Sequence, residues 1–130
     1  VIKMSLRGIA HEKTGDYVRV KAAAGEPWDD FVKYAVARGW RGVENLSGIP
    51  GSVGASPIQN IGSYGSEAKD VIGSVLVFDA SDGEVKTFSA EECQFTYRNS
   101  LFKKLEGKKY IVLSVTFRLS SLPYAKIENM

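Results

Sequence analysis

The chain has 130 residues, of which 44% are hydrophobic, 25% charged and 11% aromatic. This is the composition of one ordinary soluble domain, and it excludes a disordered chain, a collagen and a coiled coil. Lys and Arg number 17 against 15 for Asp and Glu, a net charge of +2 that predicts no nucleic-acid partner.

The first elements predicted along the chain are two strands. Residues 2–6 and 17–24 are rich in β-favouring side chains, and the polar segment from His11 to Asp16 lies between them. We therefore expect a β-hairpin whose turn contains His11 as a solvated residue.

A helix is predicted over residues 27–38. Pro27 suits its first turn, and Gly39 can take the left-handed conformation that ends a helix. The apolar residues have the spacing of one helical face: Trp28, Phe31, Val32, Ala35 and Val36. This face is expected to pack on the core.

Residues 39–65 show neither a helical nor a strand period and are rich in glycine, which is typical of a functional loop. Strand patterns return at residues 71–79 and 84–89, joined by an Asp82-Gly83 turn, and at 109–119. The prediction is a single α+β domain over residues 1–130, with a mainly antiparallel sheet, one major helix and a long glycine-rich loop. The glycine spacing does not fit a Rossmann fingerprint.

The single cysteine and the single histidine are predicted to form no site. Cys93 has no partner for an internal disulfide, and with His11 alone it cannot build a zinc site, so we expect no metal and a buried Cys93. A reducing, cytoplasmic location fits this usage. Glycine and proline interrupt the uncharged stretch at 45–66, so we expect neither a membrane span nor a membrane partner.

Two parts of the glycine-rich loop carry polar groups that could bind a ligand. Gly51, Ser52, Val53 and Gly54 offer successive main-chain N–H groups that would form a nest for a phosphate, although such segments also simply turn corners. Gln59 and Asn60 offer amides able to match the edge of a heterocycle, although both also suit local capping of the main chain.

Residues 97–100 hold the other concentration of reactive side chains. Arg98 carries a permanent charge and a rigid fork of donors, which suits a carboxylate or a phosphate. A surface salt bridge is the ordinary alternative for such an arginine.

Residues 24–32, 42–65 and 93–102 together resemble the family of UDP-N-acetylenolpyruvoylglucosamine reductases, flavoenzymes of bacterial peptidoglycan synthesis that make UDP-N-acetylmuramate. The resemblance implies the larger, second lobe of an FAD-binding module of the vanillyl-alcohol-oxidase type. It also implies a set of residues in contact with FAD: Ile49, Pro50, Gly51, Ser52, Val53, Gly54, Ser56, Pro57, Gln59, Asn60, Ile61, Gly62, Tyr64 and Tyr97.

The resemblance further implies the chemistry of a longer enzyme. In the family NADPH reduces the flavin, which passes a hydride to the enolpyruvyl group of a UDP-sugar. Arg98 matches the arginine that binds the substrate carboxylate and stabilises the negative charge that grows in the reaction. Tyr97 would lie beside the flavin.

Three family parts have no counterpart in these 130 residues. The first FAD lobe would precede Val1, and the substrate domain, with a proton-donating serine and a glutamate, would follow Met130. Tyr124 is a poor match to the family's substrate-contacting tyrosine. We therefore expect the chain alone to be inactive and to bind FAD weakly.

Two other functions stay open on the residues alone. One is a noncatalytic module that binds a nucleotide or a partner through the glycine-rich loop. The other is a different oxidase on the same flavin fold.

Overall fold

The computed structural model describes residues 6–63, 65–104 and 107–122. Its main element is a five-stranded antiparallel sheet with the strand order β1-β2-β7-β5-β6. These strands are β1 (Ile9–Thr14), β2 (Tyr17–Ala23), β5 (Ile72–Asp79), β6 (Glu84–Ser89) and β7 (Tyr110–Ser120). The short strands β3 (Gly62–Ser63) and β4 (Ser66–Glu67) form a separate antiparallel pair.

The helices connect these strands. The main helix, α1 (Trp28–Ala37), follows β2, and the short helix α2 (Ser56–Gln59) precedes β3. Single 3₁₀ turns are formed by Glu44–Leu46, Val53–Ala55, Ala68–Asp70 and Leu101–Lys103. The mainly antiparallel sheet with one major helix confirms the α+β prediction.

The first hairpin differs from its prediction. It pairs β1 with β2 through the two-residue loop Gly15-Asp16, and Gly15 has a φ of +60°, the left-handed value that tight hairpins favour at this position. His11 lies within β1, opposite Val20, so its assignment to a turn was wrong.

β1 is an edge strand exposed along almost its whole length, and such a strand shows no alternation of polar and apolar residues. Of the predicted strand at 2–6, only Leu6 lies within the described residues, and it is not in a strand.

Helix α1 packs its apolar face on the sheet, close to where it was predicted. Trp28, Phe31, Val32 and Ala35 are buried, and the Phe31 ring lies 4.5 Å from that of Phe117 on β7. Val36 is 46% exposed, so its assignment to the core was wrong. The helix ends before Gly39, whose φ is +77°.

The second hairpin and the last strand agree with the sequence. β5 and β6 pair around the predicted turn, and β7 lies between β2 and β5 in the sheet. Cys93 is fully buried, as predicted. Among the described residues no helix combines the length and the apolar character that crossing a bilayer requires.

Candidate functional site

The loop at residues 48–54 is bonded to the chain segment that leads into α1. Three main-chain hydrogen bonds join the two: Trp28 N to Gly51 O at 2.9 Å, Val53 N to Glu26 O at 2.8 Å, and Gly54 N to Ala24 O at 2.9 Å. Main-chain pairing of this kind holds the loop rigidly against the sheet. The loop is therefore a fixed part of the surface.

These bonds change the predicted anion nest. The N–H groups of Val53 and Gly54 are used within the protein, so a nest of four free donors was wrong. Gly51 and Ser52 keep main-chain N–H groups with no hydrogen bond to the described part of the chain. Gly51 is exposed, has a φ of +114°, and has open space where a Cβ would lie. Two donors thus remain for an anion at this corner.

Side chains in the first turn of α1 form hydrogen bonds with the main chain of the glycine-rich loop. The buried Trp28 indole donates from Nε1 to the Leu46 carbonyl at 2.8 Å, and the Gly48 N–H donates to Asp29 Oδ1 at 2.8 Å. The bond from Gly48, together with nearby Lys33, lowers the pKa of Asp29. Both contacts tie the glycine-rich loop to the first turn of α1.

The segment through α2 turns several of its side chains inward. Ser56 is fully buried and donates its hydroxyl hydrogen to Val53 O at 2.7 Å, and Pro57 is also buried. Gln59 is exposed, so its amide is available to a ligand. Ile61 and Gly62 are half-buried.

Asn60 is fully buried, and its amide is used entirely within the protein. Nδ2 donates to Thr96 O at 2.9 Å and to Glu67 Oε1 at 3.1 Å, while Oδ1 accepts from Lys69 N at 2.8 Å. Because this side chain is fully buried and both of its N–H groups are engaged, it does not face a ligand in this conformation. The prediction of a ring-reading side chain at Asn60 was therefore wrong, and its bonds reach beyond a local cap.

Arg98 lies at a strained position in a tight turn. Its φ is +51°, and main-chain bonds of 3.1 Å connect Thr96 and Asn99 on either side. The guanidinium is half-buried and donates from Nη2 to Gly62 O at 3.0 Å, with its Cζ 4.7 Å from the centre of the exposed Tyr97 ring. Among the described residues the Arg98 guanidinium forms this bond and no salt bridge, which was its ordinary alternative.

Three hydrogen bonds join the segment at residues 58–62 to the turn at 96–100. They run from Asn60 Nδ2 to Thr96 O, from Arg98 Nη2 to Gly62 O, and from Ser100 Oγ to Ile58 O at 2.6 Å. Gly62 is required here because a Cβ at this position would collide with Arg98 Nη1 and lie 2.7 Å from Ser66 O. The fold thus brings together two segments that are far apart in the sequence.

The predicted site residues fall into two groups. Those that are exposed or partly exposed are Ile49, Pro50, Gly51, Ser52, Gln59, Ile61, Gly62, Tyr97 and Arg98. Those buried among the protein's own atoms are Val53, Gly54, Ser56, Pro57 and Asn60. Tyr64 and Tyr124 lie outside the described residues.

Two contributors to this site, Glu67 and Ser100, were not among the predicted site residues. Glu67 accepts from Asn60, and Ser100, fully buried, caps the 3₁₀ turn Leu101–Lys103 by accepting from Phe102 N at 3.2 Å. A serine directly before an apolar pair is a recognisable cap signal. Nothing in the sequence indicates the bond that Asn60 donates to Glu67.

The exposed groups fit the FAD that the family resemblance implies. Two main-chain N–H groups at Gly51 and Ser52 suit a phosphate, and the Gln59 amide and Tyr97 ring suit a heterocycle. Arg98 uses one guanidinium N–H within the described residues, which leaves an edge for a carboxylate. No group of three or more metal-binding side chains occurs in the described ranges.

Comparisons with known proteins agree with this chemistry. A family model described as "FAD binding domain" matches residues 1–89. The UDP-N-acetylenolpyruvoylglucosamine reductase of Pseudomonas fluorescens (strain Pf0-1) is 46% identical over 129 residues, which are 98% of this chain and 38% of that protein. The enzyme of the same name from Neisseria meningitidis serogroup A is 53% identical over 123 residues, 93% of this chain and 35% of that protein. The chain thus spans little more than a third of the length of these relatives.

Solved structures show the same likeness. The crystal structure of UDP-N-acetylenolpyruvylglucosamine reductase from Thermus caldophilus aligns with a TM-score of 0.70 at 32% identity, covering 84% of this chain and 39% of that one. A solvent-stable cholesterol oxidase aligns with a TM-score of 0.59 at 13% identity over 92% of this chain and 24% of that one. The second likeness is one of fold alone.

Proposed function

Since this chain belongs to the FAD binding domain family, we propose that it is the second flavin-binding lobe of a UDP-N-acetylenolpyruvoylglucosamine reductase. The longer enzyme would reduce the enolpyruvyl group of a UDP-sugar with NADPH as the reductant. FAD, when bound, supplies the hydride chemistry between these two substrates. The first lobe and the substrate domain belong to parts of the longer protein.

The residues proposed to hold FAD are chosen by the solvent exposure of their main-chain and side-chain groups. The N–H groups of Gly51 and Ser52 have no hydrogen bond to the described part of the chain and suit the diphosphate. Gln59, Ile61 and Tyr97, which are exposed or partly exposed, are proposed to contact the ring system. Buried Val53, Gly54, Ser56 and Pro57 shape this surface from behind, and Tyr64 stays a proposal from the family motif.

Arg98 is proposed as the catalytic residue of this lobe. Its guanidinium binds the substrate carboxylate and stabilises the negative charge that develops next to it as the enolpyruvyl double bond is reduced. Arginine stays protonated, so Arg98 does not supply the proton that completes the reaction. That proton would come from the substrate domain.

The observation that carries the proposal is the anchoring of Arg98. One N–H of the guanidinium is already bonded to Gly62 O. Because the side chain is already ordered, it loses less conformational entropy on binding substrate than a free arginine would. The remaining N–H donors stay available for a carboxylate. Pre-organised positive charge is the form in which an arginine contributes most to catalysis.

The test uses the full-length enzyme with bound FAD. We expect Arg98→Ala to lower kcat by about 100-fold or more, and Arg98→Lys by less, because a point charge replaces the fork. FAD content, read from the ratio of flavin to protein absorbance, should stay near that of the unchanged enzyme. Arg19→Ala, at an arginine on the sheet away from this site, is the matched control. Unchanged turnover in Arg98→Ala would remove Arg98 from the mechanism.

A second measurement concerns the chain by itself. A cofactor held between two lobes loses much of its buried surface when one lobe is missing, so FAD should bind the 130-residue chain weakly. Titration of FAD followed by flavin fluorescence tests this. A submicromolar dissociation constant would contradict the two-lobe proposal.

A further inference from the structure

We propose that Asn60 is a positioning residue for Arg98: it fixes the turn that presents the guanidinium and does not itself contact FAD or substrate. The inference rests on the proposed function of Arg98. Asn60 is fully buried and adopts a φ of +46°, a left-handed conformation that asparagine tolerates better than most residues.

The amide of Asn60 has a unique orientation. Its nitrogen faces two oxygen acceptors, the Thr96 carbonyl and the Glu67 carboxylate, while its oxygen faces the Lys69 N–H. Both N–H groups and the oxygen are therefore satisfied in the interior, where an unpaired polar group is costly. No other natural side chain of this size has the same two donors and one acceptor.

The link from Asn60 to Arg98 passes through the main chain of Thr96. Thr96 O accepts from Asn60 Nδ2 and also from Asn99 N, which closes the turn that contains Arg98. Ser100 Oγ holds the far end of the same turn on Ile58 O. With both ends fixed to the segment at 58–62, the guanidinium meets Gly62 O.

A single substitution can cut this link with little change in volume. In Asn60→Asp the carboxylate keeps an acceptor for Lys69 N–H but places an oxygen against Thr96 O and against Glu67. The donor to the turn is lost and repulsion replaces it. Aspartate also tolerates the left-handed conformation at this position.

The experiment is a double-mutant cycle in the full-length FAD-bound enzyme. We expect Asn60→Asp to lower kcat about tenfold or more, with the FAD content retained. In the Arg98→Ala background the same substitution should change kcat less than about twofold, because the group it positions is gone. Thr87→Asp introduces the same charge at an exposed residue of the edge strand β6 and should leave kcat unchanged.

The outcomes separate the two proposals. If Arg98→Ala does not change turnover, the proposed role of Arg98 fails. If Arg98→Ala lowers kcat but Asn60→Asp has equal effects in both backgrounds, the role of Asn60 is wrong and that of Arg98 stands. Should Asn60→Asp not retain FAD, Asn60→Gly takes its place in the cycle. Glycine accepts a φ of +46° and removes all three bonds without adding charge; the same coupling to Arg98 is expected, and its absence overturns the inference.

Discussion

The guanidinium of Arg98 donates to the carbonyl oxygen of Gly62, a residue 36 positions earlier in the chain, at 3.0 Å. A Cβ at Gly62 would collide with Arg98 Nη1 and would lie 2.7 Å from the main-chain oxygen of Ser66. Gly62 does not have a positive φ, so glycine is required by the close approach of the Ser66 main chain and of the arginine, and not by backbone conformation.

Gly62→Ala should therefore disturb Arg98 directly. The new methyl group would collide with Arg98 Nη1 and lie 2.7 Å from Ser66 O, so the arginine must leave its position and the β3-β4 pair must shift. We expect kcat of the full-length enzyme to fall about tenfold or more, as when a positioned catalytic group is displaced. Steady-state kinetics on the FAD-loaded variant give the measurement. Wild-type kcat in this variant would mean that the Arg98 position is not needed.

The glycine-rich loop makes a second close approach, at Gly54. A Cβ there would lie 2.8 Å from Ala24 Cβ and 3.1 Å from Ala24 O, in a part of the core with no free space. Gly54→Ala should lower the free energy of unfolding of the chain by about 1–3 kcal/mol, measured by urea denaturation. Gly73→Ala is the matched control, because its Cβ would only meet Thr116 O at 3.5 Å. Equal stabilities of the two variants would show that the loop adapts freely.

The hairpin of β5 and β6 carries an ion pair between the buried Asp79 carboxylate and the partly exposed Lys86, which makes stability depend on pH. Lys86 Nζ lies 2.7 Å from Asp79 Oδ2, and this bond, with those from Ser81, holds the pKa of the Asp79 carboxyl well below its ordinary value of 3.8. A depressed pKa stabilises the folded chain above about pH 4 and stops doing so as the pH falls further. Asp79→Asn should therefore be less stable than the unchanged chain at pH 7, and the difference should narrow below pH 4.

Urea unfolding at a series of pH values measures this effect. Asp82→Asn removes the other partner of Lys86 and is the control, with a smaller effect because the Asp82 side chain is 42% exposed and screened by water. A difference between Asp79→Asn and the unchanged chain that stays constant from pH 7 to pH 2 would contradict the role of the ion pair.

The Cys93 thiol should be unreactive in the folded protein. Burial, helped by the nearby Glu92 and Glu91 carboxylates, raises the pKa of its thiol to about 12. Since the thiolate is the reactive form, alkylation at pH 8 should be slow in native buffer and fast in urea. Both alkylation rates can be measured with a thiol reagent whose reaction is followed by absorbance or by mass spectrometry. Rapid labelling of the native chain would show that Cys93 is accessible.

Elements with a local burial pattern were predictable from the sequence. Helix α1 buries four of its five expected face residues, and only Val36, at the edge of that face, is exposed. Strands β5, β6 and β7 lie within a residue or two of their predicted bounds. The bounds of β1 could not be predicted in the same way. β1 is an exposed edge strand, so its sequence has no alternation of apolar, buried positions with polar, exposed ones.

By itself the sequence determined the fold class, the position of the rigid glycine-rich loop and the family motif around Arg98, since each depends on residues that are neighbours in the chain. The tertiary structure alone decided how those parts are used. It assigned the N–H groups of Val53 and Gly54 to Glu26 and Ala24, and the Asn60 amide to Thr96, Glu67 and Lys69. A polar group faces a ligand only if the folded chain does not satisfy it first, and the partners that satisfy it come from distant segments.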